Sequence, residues 1–150
     1  MASEAPIHSS IVVDSRASSL REPCQRLLSA LEKRGFSQSD VFAVHLAVEE
    51  VFLNAIKHGN KMVPDRKVVF EYQVDDEKVE IRMLDEGSGF DPQSIPDPRT
   101  QENLYRPEGR GLLLINSYMH VVEYNERGNG VRMIRYRSQP ASSHPGPDTV

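Results

Sequence analysis

Residues 47–60 read AVEEVFLNAIKHGN, and the rest of the chain is best read outward from them. The apolar residues recur at helical spacing, while Glu50, Asn54 and His58 fall four residues apart. At about 3.6 residues per turn, such positions stack on one face and form a polar stripe along an otherwise apolar helix. A carboxylate and a carboxamide in line suit a metal-nucleotide site. The acid can orient a nucleophile, and an amide oxygen is a hard ligand of the kind Mg2+ prefers. Glu49 points about 100° away around the helix. Only Glu50 stands four residues before Asn54, so Glu50 is the candidate acid and Glu49 a solvated one. His58 reads as a closing residue of the helix rather than a ligand, and Lys57 as an exposed lysine.

Downstream, residues 85–90 read DEGSGF. Asp85 offers an acceptor, and Gly87 and Gly89 lack a Cβ, so a ligand can approach the backbone there. The preceding residues 67–74 and 78–84 alternate apolar and polar around Asp75-Asp76-Glu77, as an antiparallel hairpin with one wet face does. Residues 86–108 lose that period and are rich in Gly, Pro, Ser and Asp, with Pro92, Pro96, Pro98 and Pro107 among them. A stretch of this kind within a compact domain is a functional lid or is disordered. Gly109-Arg110-Gly111-Leu112 opens a third helix to about Met119, with Leu112–Ile115 as core. A second hairpin follows, residues 121–124 with 131–136, around Glu126–Gly130.

Upstream, Ser37-Gln38-Ser39-Asp40 has the form of a capping box at the start of the central helix. Leu20, Leu27, Leu28 and Leu31 repeat at helical spacing between Ser15 and Arg34, with Ser18 or Ser19 as N-cap, Pro23 in the first turn and Gly35 as the stop. Residues 7–14 read as a strand. The order β-α-α-β-β-lid-α-β-β predicts an α/β (α+β) two-layer sandwich: a mixed, mainly antiparallel sheet covered on one face by helices. It excludes a doubly wound parallel sheet, and no Walker lysine follows the glycines.

The chain of 150 residues is long enough for one cored domain, here residues 1–137, with a flexible Pro- and Ser-rich tail at 138–150. Its 22 acids outweigh 18 bases for a net charge of −4, which argues against direct nucleic-acid binding. Cys24 is the one cysteine, so an intrachain disulfide or a cysteine-based zinc site is excluded; it reads as a small buried apolar residue. There is no secretory signal and no apolar run of membrane-spanning length, so a cytoplasmic location is expected.

Glu50-x-x-x-Asn54 on a helix, Asp85-x-Gly87-x-Gly89 after a strand and Gly109-Arg110-Gly111-Leu112 at a helix start stand in the order of the N, G1 and G2 boxes of the GHKL (Bergerat-fold) ATPase and kinase superfamily. The resemblance covers roughly residues 7–137. Within it, the chain is most similar to the RsbW-like serine-protein kinases that act as anti-sigma factors. The resemblance implies ATP and Mg2+ as cofactors. Glu50 would orient or deprotonate the attacking hydroxyl, Asn54 would bind the metal, and Asp85 would accept the adenine amino group. Gly87 and Gly89 would pass close to the purine, and Gly109, Arg110, Gly111 and Leu112 would wrap the phosphates, as free N–H groups at a helix start can. The implied partners are a STAS-type antagonist, phosphorylated on serine, and a sigma factor held inactive. A homodimer is also implied, with Ile11, Val12 and Leu20 as contact candidates. Two other readings stand beside this one: an ATP-binding partner-switch module without phosphotransfer, and a histidine-kinase-type catalytic domain acting in trans. The final turn, Gly128-Asn129-Gly130-Val131, departs from the Gly-Thr turn frequent in the family.

Overall fold

A computed structural model of the chain describes residues 5–87 and 115–138. Five strands form one sheet in the order β1-β2-β3-β5-β4. They are β1 (Ile7–Asp14), β2 (Lys67–Val74), β3 (Lys78–Asp85), β4 (Val121–Tyr124) and β5 (Gly130–Tyr136). The helices are α1 (Arg21–Lys33), entered through a 3-10 turn at Ala17–Leu20, and α2 (Gln38–Asn54), which widens into a π-turn at Ala55–Gly59. Residues 115–118 are also helical.

The sheet was expected to be mixed and mainly antiparallel, and every described pairing of neighbours is antiparallel. The reason is topological. Two successive helices lead the chain out and back, so β2 begins at Lys67 beside Asp14, where β1 ended. The α+β two-layer architecture itself holds. Along each strand alternate residues face the helices, and Val68, Phe70, Ile81, Met83 and Met133 are buried there against Leu27, Leu31, Val44, Val48 and Phe52. The other face is wet. Glu71, Arg82, Arg132 and Glu123 lie side by side across four strands, with Arg132 Nη1 2.8 Å from Glu123 Oε1.

The helix ends follow local chemistry. Ser37 and Asp40 form the expected capping box. Gly35, at φ +81°, closes α1: its own N–H donates to the Glu32 carbonyl and that of Phe36 to the Leu31 carbonyl. The start of α1 differs from expectation. Ser19 donates its hydroxyl to the Asp14 carboxylate instead of capping the helix, and the 3-10 turn brings Leu20 to the cap position without a side-chain hydrogen bond. Of the three candidates for a homodimer contact, Leu20 is buried and Ile11 packs against the core, because alternation along β1 turns Ile11 towards the helices; Val12 alone is exposed. Cys24 is buried, and burial pushes its thiol up to about 12, so it is an inert packing residue. Among the described residues no helix is long and apolar enough to cross a membrane.

Candidate functional site

The C-terminal half of α2 lies across the sheet with Val44, Val48, Val51 and Phe52 buried. Glu50 and Asn54 stand on the flank of this apolar face, both half-buried. Glu49 has a different role: its carboxylate lies 3.0 Å from His45 Nε2, one turn back on the surface. His58 is exposed and so is Lys57. The helix widens to a π-turn before His58, so a four-residue step no longer stacks it on Asn54, and the three-residue stripe is in effect a pair.

Asp85 ends β3 on the helix-facing side, in line with Ile81 and Met83, and is only 9% exposed. There it meets the π-turn. A Cβ on Gly59 would overlap the Asp85 carboxylate, and a Cβ on Gly87 would come within 2.6 Å of the Gly59 carbonyl carbon. Both glycines are therefore required by close approach of the chain segments. The Gly87 N–H donates to Asp85 Oδ1 at 2.8 Å. Burial raises the Asp85 carboxyl above its ordinary value, against the opposing pull of the Gly87 N–H and the Arg127 charge. A half-desolvated carboxylate with one oxygen fixed by the backbone is suited to accept a hydrogen bond from an amino group.

Two carboxamides that the sequence did not single out hold this corner together. Asn60 is fully buried. Its Nδ2 donates to Ser15 Oγ (2.9 Å) and to the Lys67 carbonyl (3.0 Å), and its Oδ1 accepts from the Glu86 N–H at 2.8 Å. On the other side, the Asp85 N–H donates to the Asn129 carbonyl at 2.8 Å, and Asn129 Nδ2 donates to the Asp85 carbonyl at 3.2 Å. Asn125 in turn organises the β4–β5 turn, its Oδ1 accepting from the N–H groups of Gly128 (2.7 Å) and Asn129 (3.1 Å). The available signals were the Gly59-Asn60 pair where a helix must stop against a strand, and an Asx-turn pattern in Asn125–Gly130.

Gly89, Gly109, Arg110, Gly111 and Leu112 lie outside the described residues, as do residues 88–108 of the expected lid and the expected start of the third helix. Among the described residues no group of three or more His, Cys, Asp or Glu side chains could hold a metal ion; Asn54 and Glu50 are the hard oxygen donors nearest to one another in sequence on this flank of α2. A surface depression of about 400 Å3 lies on the opposite, wet face of the sheet, between Glu71, Arg82, Leu84 and Glu123.

The comparisons with known proteins bear on the fold and the family. The solved structure of the RsbU and RsbW domains of a Mycobacterium tuberculosis protein superposes with a TM-score of 0.59 over 91% of this chain at 19% identity, the chain spanning 34% of that one. The likeness supports the fold. Serine-protein kinase RsbW of Listeria innocua is 33% identical over 117 residues, 73% of this chain and 74% of that protein. The Staphylococcus epidermidis protein of the same name is 30% identical over 118 residues, with the same coverage. The profile of the histidine kinase-like ATPase domain matches residues 13–135, from the end of β1 to the end of β5. With the match spanning both halves of the sheet and the α2–Asp85 corner between them, the chain belongs to the histidine kinase-like ATPase domain family, among relatives of the RsbW serine-protein kinases.

Proposed function

We propose that the chain is an ATP-dependent serine-protein kinase of the anti-sigma-factor type. It would phosphorylate a STAS-type antagonist on serine and hold a sigma factor inactive between rounds of phosphorylation. The observation that carries this reading is the buried Asp85 carboxylate, boxed by Gly59 and Gly87 against the end of the helix that bears Glu50 and Asn54. The π-turn that follows Asn54 packs on Asp85 through Gly59, so the candidate amino-group acceptor adjoins the end of the helix that carries the candidate acid and metal ligand.

The roles follow from what phosphoryl transfer needs, which is positioning and charge neutralisation. Asp85 accepts the adenine amino group and fixes the base. Asn54 offers its amide oxygen to Mg2+, which would neutralise charge on the phosphates when bound. Gly89 together with Gly109, Arg110, Gly111 and Leu112 would wrap the base and phosphates. Glu50 takes the proton from the serine hydroxyl as the serine oxygen bonds to the γ-phosphorus and the bond to the β–γ bridging oxygen breaks, releasing ADP. The work of the protein is therefore one acid and a set of fixed dipoles.

Transfer of labelled phosphate from ATP to a purified STAS-type protein tests this. Glu50→Gln is expected to lower the rate by at least about 100-fold, the scale of one general base, while leaving nucleotide affinity within a factor of about two. The phosphorylated residue should be acid-stable phosphoserine. Transfer unaffected by Glu50→Gln, or an acid-labile product, would contradict the reading.

A further inference from the structure

The segment from Asp85 to Gly87 uses its backbone groups in an orderly way. Three consecutive N–H groups each have a fixed acceptor: the Asn129 carbonyl for Asp85 at 2.8 Å, Asn60 Oδ1 for Glu86 at 2.8 Å, and Asp85 Oδ1 for Gly87 at 2.8 Å. The Asp85 carbonyl is taken by Asn129 Nδ2. Only the last N–H contact is local. The others reach the segment from the end of the π-turn and from the β4–β5 turn, 26 and 44 residues away along the chain.

Both carboxamides are themselves anchored. Asn60 is buried and tied to the end of β1 through Ser15 and to the start of β2 through Lys67. The Ser15 hydroxyl then donates to the Arg66 carbonyl at 2.6 Å. Asn129 accepts at its Oδ1 from Asn125 Nδ2 at 2.8 Å, within a turn that Asn125 caps. An amide side chain has a donor and an acceptor end, so each can bridge a loop to a rigid element in a way that neither a carboxylate nor a hydroxyl can reproduce in full.

We propose that Asn60 and Asn129 are positioning residues for nucleobase recognition: from opposite sides they fix the main chain at residues 85–86, so that the Asp85 carboxylate is aligned for a purine carrying an amino donor and misaligned for one carrying a keto acceptor. The proposal rests on the reading of Asp85 as the base-recognising group. Its chemistry is discrimination by a preset acceptor. Adenine presents an amino group where guanine presents a carbonyl oxygen, and an acceptor held in place leaves the wrong base with two facing acceptors. An acceptor free to swing away would discriminate less. Selectivity therefore depends on the rigidity of this segment, and the two side chains supply it from positions 26 and 44 residues away along the chain.

The test is calorimetric titration of the full chain with ATP, GTP and inorganic tripolyphosphate, beside thermal unfolding, for Asn129→Ala, Asn129→Ser, Asn60→Ala and Asp85→Asn. Asn129→Ala is expected to weaken ATP binding roughly tenfold, the scale of one lost buried hydrogen bond, and to lower the ATP-to-GTP affinity ratio with tripolyphosphate binding unchanged. Asn129→Ser keeps a donor hydroxyl and should recover part of the ratio. Asn60→Ala should lower the ratio in the same direction; should it fail to fold, the two Asn129 variants decide. A lower melting temperature with a wild-type ATP-to-GTP ratio in the Asn129 variants would show a purely structural role and overturn the proposal. Asp85→Asn separates the two levels. If it abolishes selectivity while the Asn129 variants retain it, the positioning role alone fails. If Asp85→Asn keeps wild-type selectivity, the Asp85 reading fails and the positioning role fails with it.

Discussion

Asp85 is subject to two opposing demands. Burial favours its neutral form, while a hydrogen bond from an amino group favours the ionised one. Its folded value lies above the ordinary 3.8, so a proton binds more tightly in the folded chain. Protonation therefore adds to folding stability as pH falls towards 3.8, yet it removes the acceptor a nucleobase needs. ATP affinity is thus expected to decline as pH falls, beginning above the range of an exposed carboxylate, and the Asp85→Asn variant should lack this dependence. At the same scale, Gly59→Ala sets a methyl group against the Asp85 carboxylate. It should cost about 1–3 kcal/mol in stability, as overpacking does, and weaken ATP binding more than tripolyphosphate binding. Equal loss for both ligands in calorimetry would separate Gly59 from base recognition.

At the scale of elements, Asp40 shows how the far end of α2 is secured. It is fully buried, the partner of Ser37 in the capping box, and its carboxylate also accepts from Arg135 Nε (2.9 Å), the Ser138 N–H (2.9 Å) and the Ser138 hydroxyl (2.7 Å). Arg135 continues to the Tyr118 carbonyl at 2.6 Å, so one side-chain pair joins the start of α2, the end of β5 and the close of helical residues 115–118. Burial alone would raise this carboxyl, but the Ser138 and Arg135 donors outweigh it and its folded value lies below 3.8. The stabilisation is therefore complete above about pH 5 and is lost as pH falls through the depressed folded value. Arg135→Met leaves a buried charge without its cation and should lower unfolding free energy by about 3 kcal/mol at neutral pH, read by urea denaturation. A loss below about 0.5 kcal/mol would mean that Ser138 suffices.

The sequence made the elements legible wherever side-chain period settles them. Alternation in residues 67–84 predicts both the β2–β3 hairpin and its wet face, and the observed register sets Phe70 opposite Met83 and Tyr72 opposite Ile81. The capping box at Ser37 and the stop at Gly35 were readable because caps are local chemistry. The π-turn after Asn54 was not, since it depends on where the helix meets Asp85, not on propensity. The chain reverses there through Lys61 and Met62 at φ +56° and +60°, a left-handed pair that residues with side chains seldom adopt. Asn60 and Asn129 were hidden for the same reason: their partners are distant in sequence. Glu50, Asn54, Asp85 and Gly87 are candidates that spacing singles out, whereas the need for a glycine at position 59 shows in its contact with Asp85.

For the whole molecule, the antiparallel sheet and the helical layer form a scaffold on which β1 and β4 are the edge strands. The helix-facing side is filled by core side chains, so the π-turn after α2 and the end of β3 meet at its margin. The family match at residues 13–135 takes in all of this scaffold except the start of β1 and the last residue of β5. Nucleotide binding at that margin is the central expectation. The most direct measurement is calorimetric titration of the purified chain with ATP and Mg2+, beside Asp85→Asn. The expected result is a micromolar-range dissociation constant for the wild-type chain, weakened at least about tenfold by Asp85→Asn in a sample that remains folded. Absence of binding by the folded wild-type chain, or equal affinity in the variant, would contradict the account.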